Sequence, residues 1–276
     1  MTIPTVTLND GNKIPKLGLG SYGLREDVGT ASIVSAIHSG YRLLDTALNY
    51  ENEREVGEAM RLSGVDRAEL FVTTKLPGRH HGYDATRASF EESRANLGLD
   101  YVDLYLIHWP LPKVDRYLDS WRAMIALRDE GLVRSIGVSN FTEAYLTRLI
   151  DETQVVPAVN QVELHPRFPQ EVLRAFHLEH GIVTQSWSPL AKGNAVTAEP
   201  VVVAAARAHR VTPTQVVLRW HVQVGAIPIP KSGDGDRQRE NLDVFGFELT
   251  DVEMASISAL EGGRLWDGDP ETHEEF

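Results

Sequence analysis

The chain contains no cysteine among its 276 residues. This absence excludes disulfides, thiolate metal sites and cysteine nucleophiles together. The sequence also has no run of about 18 apolar residues, and its first residues, Met1-Thr-Ile-Pro-Thr5, lack the charged-then-apolar pattern of a secretion signal. We therefore expect a cytoplasmic protein without membrane contact.

Positive charge is scarce as well. The chain has 27 Lys and Arg against 39 Asp and Glu, a formal net charge of −12, which argues against a nucleic-acid-binding surface. Its apolar content of 42% is enough for a sizeable core. Because no linker or low-complexity tract interrupts the sequence, we predict one domain over residues 1–276 with no obligate protein partner.

What the chain does contain is a regular alternation of apolar strands and amphipathic helices. A short hairpin comes first, because Asp10-Gly11 is a strong turn signal between two strand-like segments. The strands predicted after it are 17–20, 43–47, 70–76, 102–108, 135–140, 158–164, 182–188 and 226–231. Helices fit between them, with an additional one at 213–223 and a C-terminal one near 250–260, followed by a polar tail. Eight such units predict a parallel sheet closed into a (β/α)₈ TIM barrel.

Three consecutive strands each end in a titratable group. Asp45 and then Tyr50 follow the second strand, Lys75 ends the third, and His108 ends the fourth. Active sites of barrels lie at the carboxyl ends of the strands. Tyrosine has a pKa near 10, so we expect a nearby Lys75, held in place by Asp45, to lower the pKa of Tyr50 and make it a better acid.

One glycine-rich stretch leaves a second interpretation open. Gly18-Leu-Gly-Ser-Tyr-Gly23 matches the G-x-G-x-x-G fingerprint of Rossmann folds, and Asp45 follows at about the distance of their ribose-binding acid. The strand before it would carry two lysines and a proline, which fits a central buried strand badly. We favour a glycine-rich loop at the first barrel strand that lets the backbone approach a ligand.

Three further motifs identify a family. They are Gly40-Tyr-Arg-Leu-Leu-Asp-Thr-Ala47, Asp103-Leu-Tyr-Leu-Ile-His-Trp-Pro110 and Asn160-Gln-Val-Glu-Leu-His-Pro166. With them the chain resembles the aldo-keto reductases nearly end to end, and most of all their bacterial diketogluconate reductase-type members. The resemblance implies NADPH-dependent reduction of small aldehydes and ketones by a monomer, with sugar-derived keto acids as the favoured substrates and no metal.

The resemblance also implies roles for the residues. Asp45, Tyr50, Lys75 and His108 would be the catalytic tetrad, with Tyr50 as the proton donor. Contacts to the nicotinamide would come from Ser139, Asn140, Gln161 and Trp187, where many members have tyrosine instead of tryptophan. The other implied cofactor contacts are Gly20, Ser21, Tyr22, Ser188, Leu190, Lys231, Ser232, Arg237, Glu240 and Asn241. The implied substrate contacts are Tyr22, Leu48, His108, Trp109 and Trp266.

The cofactor's 2′-phosphate would meet a loop of mixed charge. Lys231 and Arg237 suit a phosphate, whereas Gly233-Asp-Gly-Asp236 places two carboxylates and two flexible glycines between them. We therefore expect NADPH to be preferred and NADH to be used more weakly.

Two other functions stay open at this stage. A barrel glycosidase would need a pair of acids, for which Asp45 and Glu163 are the candidates at strand ends. A nicotinamide-binding regulatory subunit on the same fold would need no catalysis, although the intact tetrad argues against it.

Overall fold

The computed structural model describes residues 3–191, 195–266 and 268–275. Its strands in chain order are β1 (Thr5–Thr7), β2 (Lys13–Pro15), β3 (Leu19–Gly20), β4 (Leu43–Asp45), β5 (Phe71–Leu76), β6 (Val102–Ile107), β7 (Val133–Ser139), β8 (Val159–Glu163), β9 (Val183–Trp187) and β10 (Ile227–Pro228). The first two strands form an antiparallel hairpin, and the other eight form one sheet in sequential order. Every pairing within that sheet is parallel.

The two edges of this sheet meet, so the sheet is a barrel. Gly18 N donates to Pro228 O at 3.1 Å and Gly20 N donates to Pro230 O at 3.1 Å, which joins the first strand to the last. Gly18 must be glycine here, because a Cβ at this position would lie 2.7 Å from side-chain atoms of Ile229 and Leu43. The predicted (β/α)₈ fold is confirmed.

In the described part of the chain, ten α-helices surround the barrel. They are α1 (Glu26–Ser39), α2 (Glu53–Ser63), α3 (Tyr83–Leu97), α4 (Tyr117–Asp129), α5 (Glu143–Thr153), α6 (Glu171–Glu179), α7 (Pro200–His209), α8 (Pro213–Gln223), α9 (Gly235–Leu242) and α10 (Asp251–Ser258). The additional helix predicted at 213–223 is present as α8. None of the described helices is long and apolar enough to cross a membrane.

Apolar side chains pack in two shells, which explains the continuous apolar runs of the central strands. All six residues of β5 and all six of β6 are buried, as expected for parallel strands covered on both faces. Leu104 and Leu106 belong to an inner cluster, whereas Tyr105 and Ile107 belong to the cluster formed with the helices. The hairpin contributes buried Leu8 to the inner cluster and so covers one end of the barrel.

The sequence-based boundaries were wrong in one region. The strand predicted at 226–231 spans only Ile227–Pro228, and α9 begins where a flexible loop was expected. Asp234 explains that helix start, because its carboxylate accepts a hydrogen bond from Arg237 N at 2.9 Å and caps the first turn. A cap followed by so polar a segment gives little apolar periodicity, which is why the pattern did not indicate a helix.

Candidate active site

Asp45 and Lys75 form a buried ion pair at the carboxyl ends of neighbouring strands. Lys75 Nζ donates to Asp45 Oδ1 at 2.5 Å and to the carbonyl oxygen of Thr46 at 2.9 Å. The Lys75 side chain is 0% exposed and that of Asp45 is 4% exposed. The predicted lysine–carboxylate contact is therefore present.

The second oxygen of Asp45 is held from the far side of the barrel. Gln161 Nε2, on β8, donates to Asp45 Oδ2 at 2.7 Å and to Gln185 Oε1 at 3.0 Å. Both carboxylate oxygens of Asp45 are thus occupied. Sequence reasoning assigned Gln161 only to the cofactor, because no local pattern indicates a contact between residues on opposite strands.

Tyr50 and His108 face this ion pair. Tyr50 ends the short 3₁₀ turn Leu48–Tyr50 that follows β4, and its ring centroid lies 5.0 Å from Lys75 Nζ. His108 follows β6, with its ring 5.9 Å from that of Tyr50 in an edge-on arrangement. The structure brings all four predicted catalytic residues together, although their roles stay predictions.

The protonation of this group differs from the sequence-based expectation. Burial raises the pKa of Tyr50 above its usual value, and the ammonium of Lys75 opposes this effect without outweighing it. Burial works against the charge on Lys75, but Asp45 and Tyr50 outweigh burial and raise the pKa of Lys75. At neutral pH the phenol of Tyr50 therefore stays protonated and Lys75 stays charged.

Asn52 is a buried residue beside the candidate site that sequence reasoning did not single out. It is fully buried, accepts a hydrogen bond from Thr46 Oγ1 at 2.8 Å, and donates to the carbonyl oxygens of Ser21 at 2.7 Å and Leu24 at 2.9 Å. Asn52 thereby fixes the loop after β3 against the turn that carries Tyr50. Its only sequence signal was an amide two residues after the tyrosine.

The residues predicted to contact nicotinamide form one connected network. Asn140, at a positive φ of 64°, donates from Nδ2 to His108 O at 3.0 Å and to Ser139 Oγ at 3.1 Å. Trp187 Nε1 donates to Asn140 Oδ1 at 2.8 Å. The side-chain N–H groups of Asn140 and of Gln161 already donate hydrogen bonds within the protein. The amide oxygens of these two side chains can still accept hydrogen bonds from the NH₂ of a carboxamide.

The other predicted cofactor residues lie around the closure of the barrel. Gly20 pairs with Lys231 across that closure, and Lys231 and Arg237 are exposed. Ser21 Oγ and Asn241 Oδ1 are buried polar atoms without a hydrogen-bond partner among the described residues, which fits a polar ligand at this position. Glu240 accepts a hydrogen bond from Thr212 Oγ1 at 2.7 Å. Ser232 is buried and Leu190 is half-buried. Ser188 has a positive φ of 49°.

Among the predicted substrate contacts, Tyr22 packs against Tyr50 and Leu48 lies in the same turn. The ring of Tyr22 lies 5.1 Å from that of Tyr50 and is 67% exposed. Leu48 and Trp109 are buried, and Trp266 is 40% exposed. These residues are compatible with a small carbonyl substrate entering from the solvent side of Tyr50.

Comparison with known proteins identifies the family. The family model described as "Aldo/keto reductase family" matches residues 16–261. The chain belongs to this family. As a member of it, the protein is an oxidoreductase, and the resemblance stated from the motifs is confirmed.

Relatives support this assignment over nearly the whole chain. The chain is 64% identical over 274 residues to the 2,5-diketo-D-gluconic acid reductase B of Corynebacterium sp. (strain SHS752001), covering 99% of each sequence. It is similar to the aldo-keto reductase of Bombyx mori solved in complex with NADP, at 37% identity and a TM-score of 0.88, covering 95% of this chain and 94% of that one. It is also similar to a mutant of Gox0644 solved in complex with NADPH, at 43% identity and a TM-score of 0.94, covering 99% of each.

The carboxylates on which the alternative functions depended, Asp45 and Glu163, are buried and hydrogen-bonded in this fold. Asp45 is bound to Lys75 and Gln161, so it is not placed as a Rossmann ribose-binding acid. Glu163 is fully buried, lies 3.2 Å from His165 Nε2, and accepts from Leu265 N at 2.7 Å. One oxygen of Glu163 has no partner among the described residues, but the side chain is 0% exposed and that of Asp45 is 4% exposed, so neither is presented to a substrate as one of the two acids that a glycosidase needs.

Proposed function

We propose that this protein uses NADPH to reduce small aldehydes and ketones to alcohols. The observation that carries the proposal is the convergence of Tyr50, His108 and the buried pair of Lys75 and Asp45 at one end of the barrel. The NADP and NADPH complexes of two similar aldo-keto reductases support the choice of cofactor.

Each residue of this group has a chemical task in carbonyl reduction. When bound, NADPH supplies the hydride. Tyr50 donates its phenolic proton to the carbonyl oxygen, which its raised pKa keeps available at neutral pH. Lys75, charged and held by Asp45, stabilises the phenolate that remains. The ring of His108 faces that of Tyr50 edge-on, which places it beside the proton donor. From there His108 orients the carbonyl.

The cofactor would lie along the ends of β7 to β10. Ser139, Asn140 and Gln161 would meet the carboxamide, and Trp187 would stack on the nicotinamide. The exposed cations Lys231 and Arg237 would bind the 2′-phosphate, as charge-assisted hydrogen bonds to phosphate are strong. The other proposed contacts are Gly20, Ser21, Tyr22, Ser188, Leu190, Ser232, Glu240 and Asn241. NADH, which lacks that phosphate, would bind more weakly.

Sugar-derived keto acids such as diketogluconate are the substrate class that we favour. The relative from Corynebacterium is named for a 2,5-diketo-D-gluconic acid. Tyr22, Leu48, Trp109 and Trp266 would form the walls of the pocket and His108 its polar contact. We further infer a monomer in the cytoplasm, with no nucleic-acid, membrane or obligate protein partner, which size-exclusion chromatography and fractionation would test.

The deciding experiment measures NADPH oxidation over a panel of aldehydes, α-dicarbonyls and keto-sugars. Tyr50→Phe keeps the ring and removes the proton donor, so we expect turnover to fall by roughly 10²–10⁴-fold with NADPH binding nearly unchanged. Retained turnover in this variant would contradict the assignment of Tyr50. Tight NADPH binding with no turnover of any carbonyl by the native protein would favour the regulatory-subunit alternative.

A further inference from the structure

The C-terminal residues 268–275, here named the strap, lie across the loops that follow β6 and β7. The ring of His273 packs on that of Trp109 with centroids 4.2 Å apart. Glu274 Oε1 accepts from Lys113 N at 2.9 Å, and Glu271 accepts from Thr142 Oγ1 at 3.1 Å. The strap is therefore held to the barrel mainly by acidic side chains.

Glu275, the last residue that the structure describes, inserts its carboxylate beside the catalytic group. Its Oε1 lies 2.8 Å from His108 Nδ1, and its Oε2 accepts from Gly78 N at 3.3 Å. The side chain of Asn49 lies beside this carboxylate and acts to lower its pKa. Two uncharged donors and one imidazole thus converge on a single carboxylate at the mouth of the barrel.

The backbone at Gly78 allows the strap to come close to the loop after β5. A Cβ added to Gly78 would lie 1.9 Å from the carbonyl oxygen of Glu275, so only glycine lets the strap approach so closely. Burial acts to raise the pKa of Glu275, but His108 and the hydrogen bonds outweigh it and the pKa is lowered. The occupant of this position is consequently an anion at neutral pH.

The neighbourhood favours an anion although the whole chain carries a net charge of −12. Arg79 donates to Asn49 Oδ1, which leaves the amide N–H groups of Asn49 for the carboxylate. His81, in the same loop, is 4% exposed, and neither of its ring nitrogens has a hydrogen-bond partner among the described residues. Burial lowers the pKa of His81 to about 4, so this ring is neutral at neutral pH and adds no positive charge to the position.

The contact between Glu275 and His108 is close but not a linear hydrogen bond. His108 Nδ1 has no hydrogen-bond partner of good geometry in the described structure, although a carboxylate oxygen lies 2.8 Å away. A carboxylate with better alignment could replace that of Glu275 at this nitrogen.

We propose that His108 Nδ1, Gly78 N–H and the Asn49 amide form a carboxylate-binding position that Glu275 fills in the resting protein, and that a carboxylate-bearing carbonyl substrate takes it when the strap moves aside. This inference rests on the proposed carbonyl reduction, because it assigns a role to one group of the substrate. Glu275 acts as a tethered competitor, so its removal raises the fraction of protein that is competent to bind an external carboxylate.

Acetate is the probe for this position, and its binding is measured on the cofactor-free protein by calorimetry and by tryptophan fluorescence. Glu275→Gln removes the charge of the competitor. If Glu275 occupies the position in about nine-tenths of the native molecules, this change should make acetate bind about tenfold more tightly. Glu274→Gln is the matched control, because it removes one charge from the same strap at Lys113 N. We expect its acetate affinity to stay within about twofold of the native value.

The same variants are compared on benzaldehyde and para-carboxybenzaldehyde with NADPH. Glu275→Gln should lower the KM for the acid by about tenfold while the KM for the neutral aldehyde changes less. Equal effects of Glu274→Gln and Glu275→Gln, or unchanged or weaker acetate binding in Glu275→Gln, would overturn the inference. If neither aldehyde is reduced by the native protein, the proposed function fails, whereas acetate binding still decides whether the position exists.

Discussion

Gln161 and Asp45 are joined across the interior of the barrel by a hydrogen bond of 2.7 Å from Nε2 to Oδ2. Lys75 occupies the other carboxylate oxygen at 2.5 Å. Asp45 therefore cannot rotate without breaking a buried contact. Through its bond to Asp45, Gln161 on β8 helps to keep Lys75 in place.

Replacing Gln161 by leucine should destabilise the protein. The change keeps the side-chain size but leaves Asp45 Oδ2 buried without a donor, which costs about 1–3 kcal/mol for an unsatisfied group. Denaturant unfolding measures this loss. Gln185→Leu is the control, because it also removes a buried amide of the same network but leaves the bond to Asp45 intact. A loss as large in the control as in Gln161→Leu would contradict the importance of the Asp45 contact.

The titration of Tyr50 provides a second test. Its pKa is raised, so the phenol that donates the proton is present throughout the neutral range and is lost only as the pH rises above about 10. Ultraviolet difference titration of the native protein against Tyr50→Phe isolates this phenolate. Lys75 lowers the pKa of Tyr50 and Asp45 raises it, so Lys75→Met should move the midpoint to still higher pH. A downward shift would show that Lys75 does not stabilise the phenolate.

The sequence predicted that Asp45, Tyr50, Lys75 and His108 would meet because each of them depends on one local feature. Asp45 and Lys75 lie at the carboxyl ends of apolar strands and His108 directly follows one, and parallel strands bring their carboxyl ends to one face of a barrel. The contact of Gln161 with Asp45 spans 116 residues along the chain and exists only once the barrel has closed. The position of Glu275 depends likewise on how the strap crosses the closed barrel, which no periodic pattern records.

The direction of the pKa shift of Tyr50 was unpredictable for a related reason. The sequence indicated a neighbouring cation, and Lys75 does act to lower the pKa. The opposing effect of burial depends on how much protein surrounds the phenol, and this is a property of the packed structure. Here burial is the larger effect.

Asn52 offers a test of the loop that carries Tyr22. Asn52→Leu removes the donors that bind the carbonyl oxygens of Ser21 and Leu24. The oxygen of Ser21 keeps its bond from Leu24 N at 2.8 Å, whereas that of Leu24 loses its side-chain donor, so the loop loosens. We expect KM for carbonyl substrates to rise more than kcat falls, because Tyr22 lines the pocket whereas Tyr50 keeps its contact with Lys75. Steady-state kinetics separate the two effects. A large loss of kcat with unchanged KM would assign Asn52 to the chemistry instead.

We expect Asp234 to have two opposing effects on cofactor selection. Its carboxylate caps α9 at Arg237 N, and this hydrogen bond is the largest of the effects that lower its pKa, so it is charged at neutral pH beside the proposed 2′-phosphate contact. Asp234→Asn keeps the cap, since asparagine is an equally good N-cap residue, and removes the charge. We expect NADPH to bind roughly two- to fivefold more tightly at low salt, with NADH unaffected, because a single exposed charge has a small and screened effect.

Asp234→Arg distinguishes the charge from the cap. It reverses the charge beside the phosphate but cannot accept the hydrogen bond from Arg237 N, so the first turn of α9 loses its cap. Because α9 carries both Arg237 and Asn241, its fraying should offset the electrostatic gain, and NADPH should bind no more tightly than in Asp234→Asn. Fluorescence titration with both cofactors at low and high salt measures these affinities. If Asp234→Arg bound NADPH much more tightly than Asp234→Asn, charge alone would govern the site and the cap would not matter for cofactor binding.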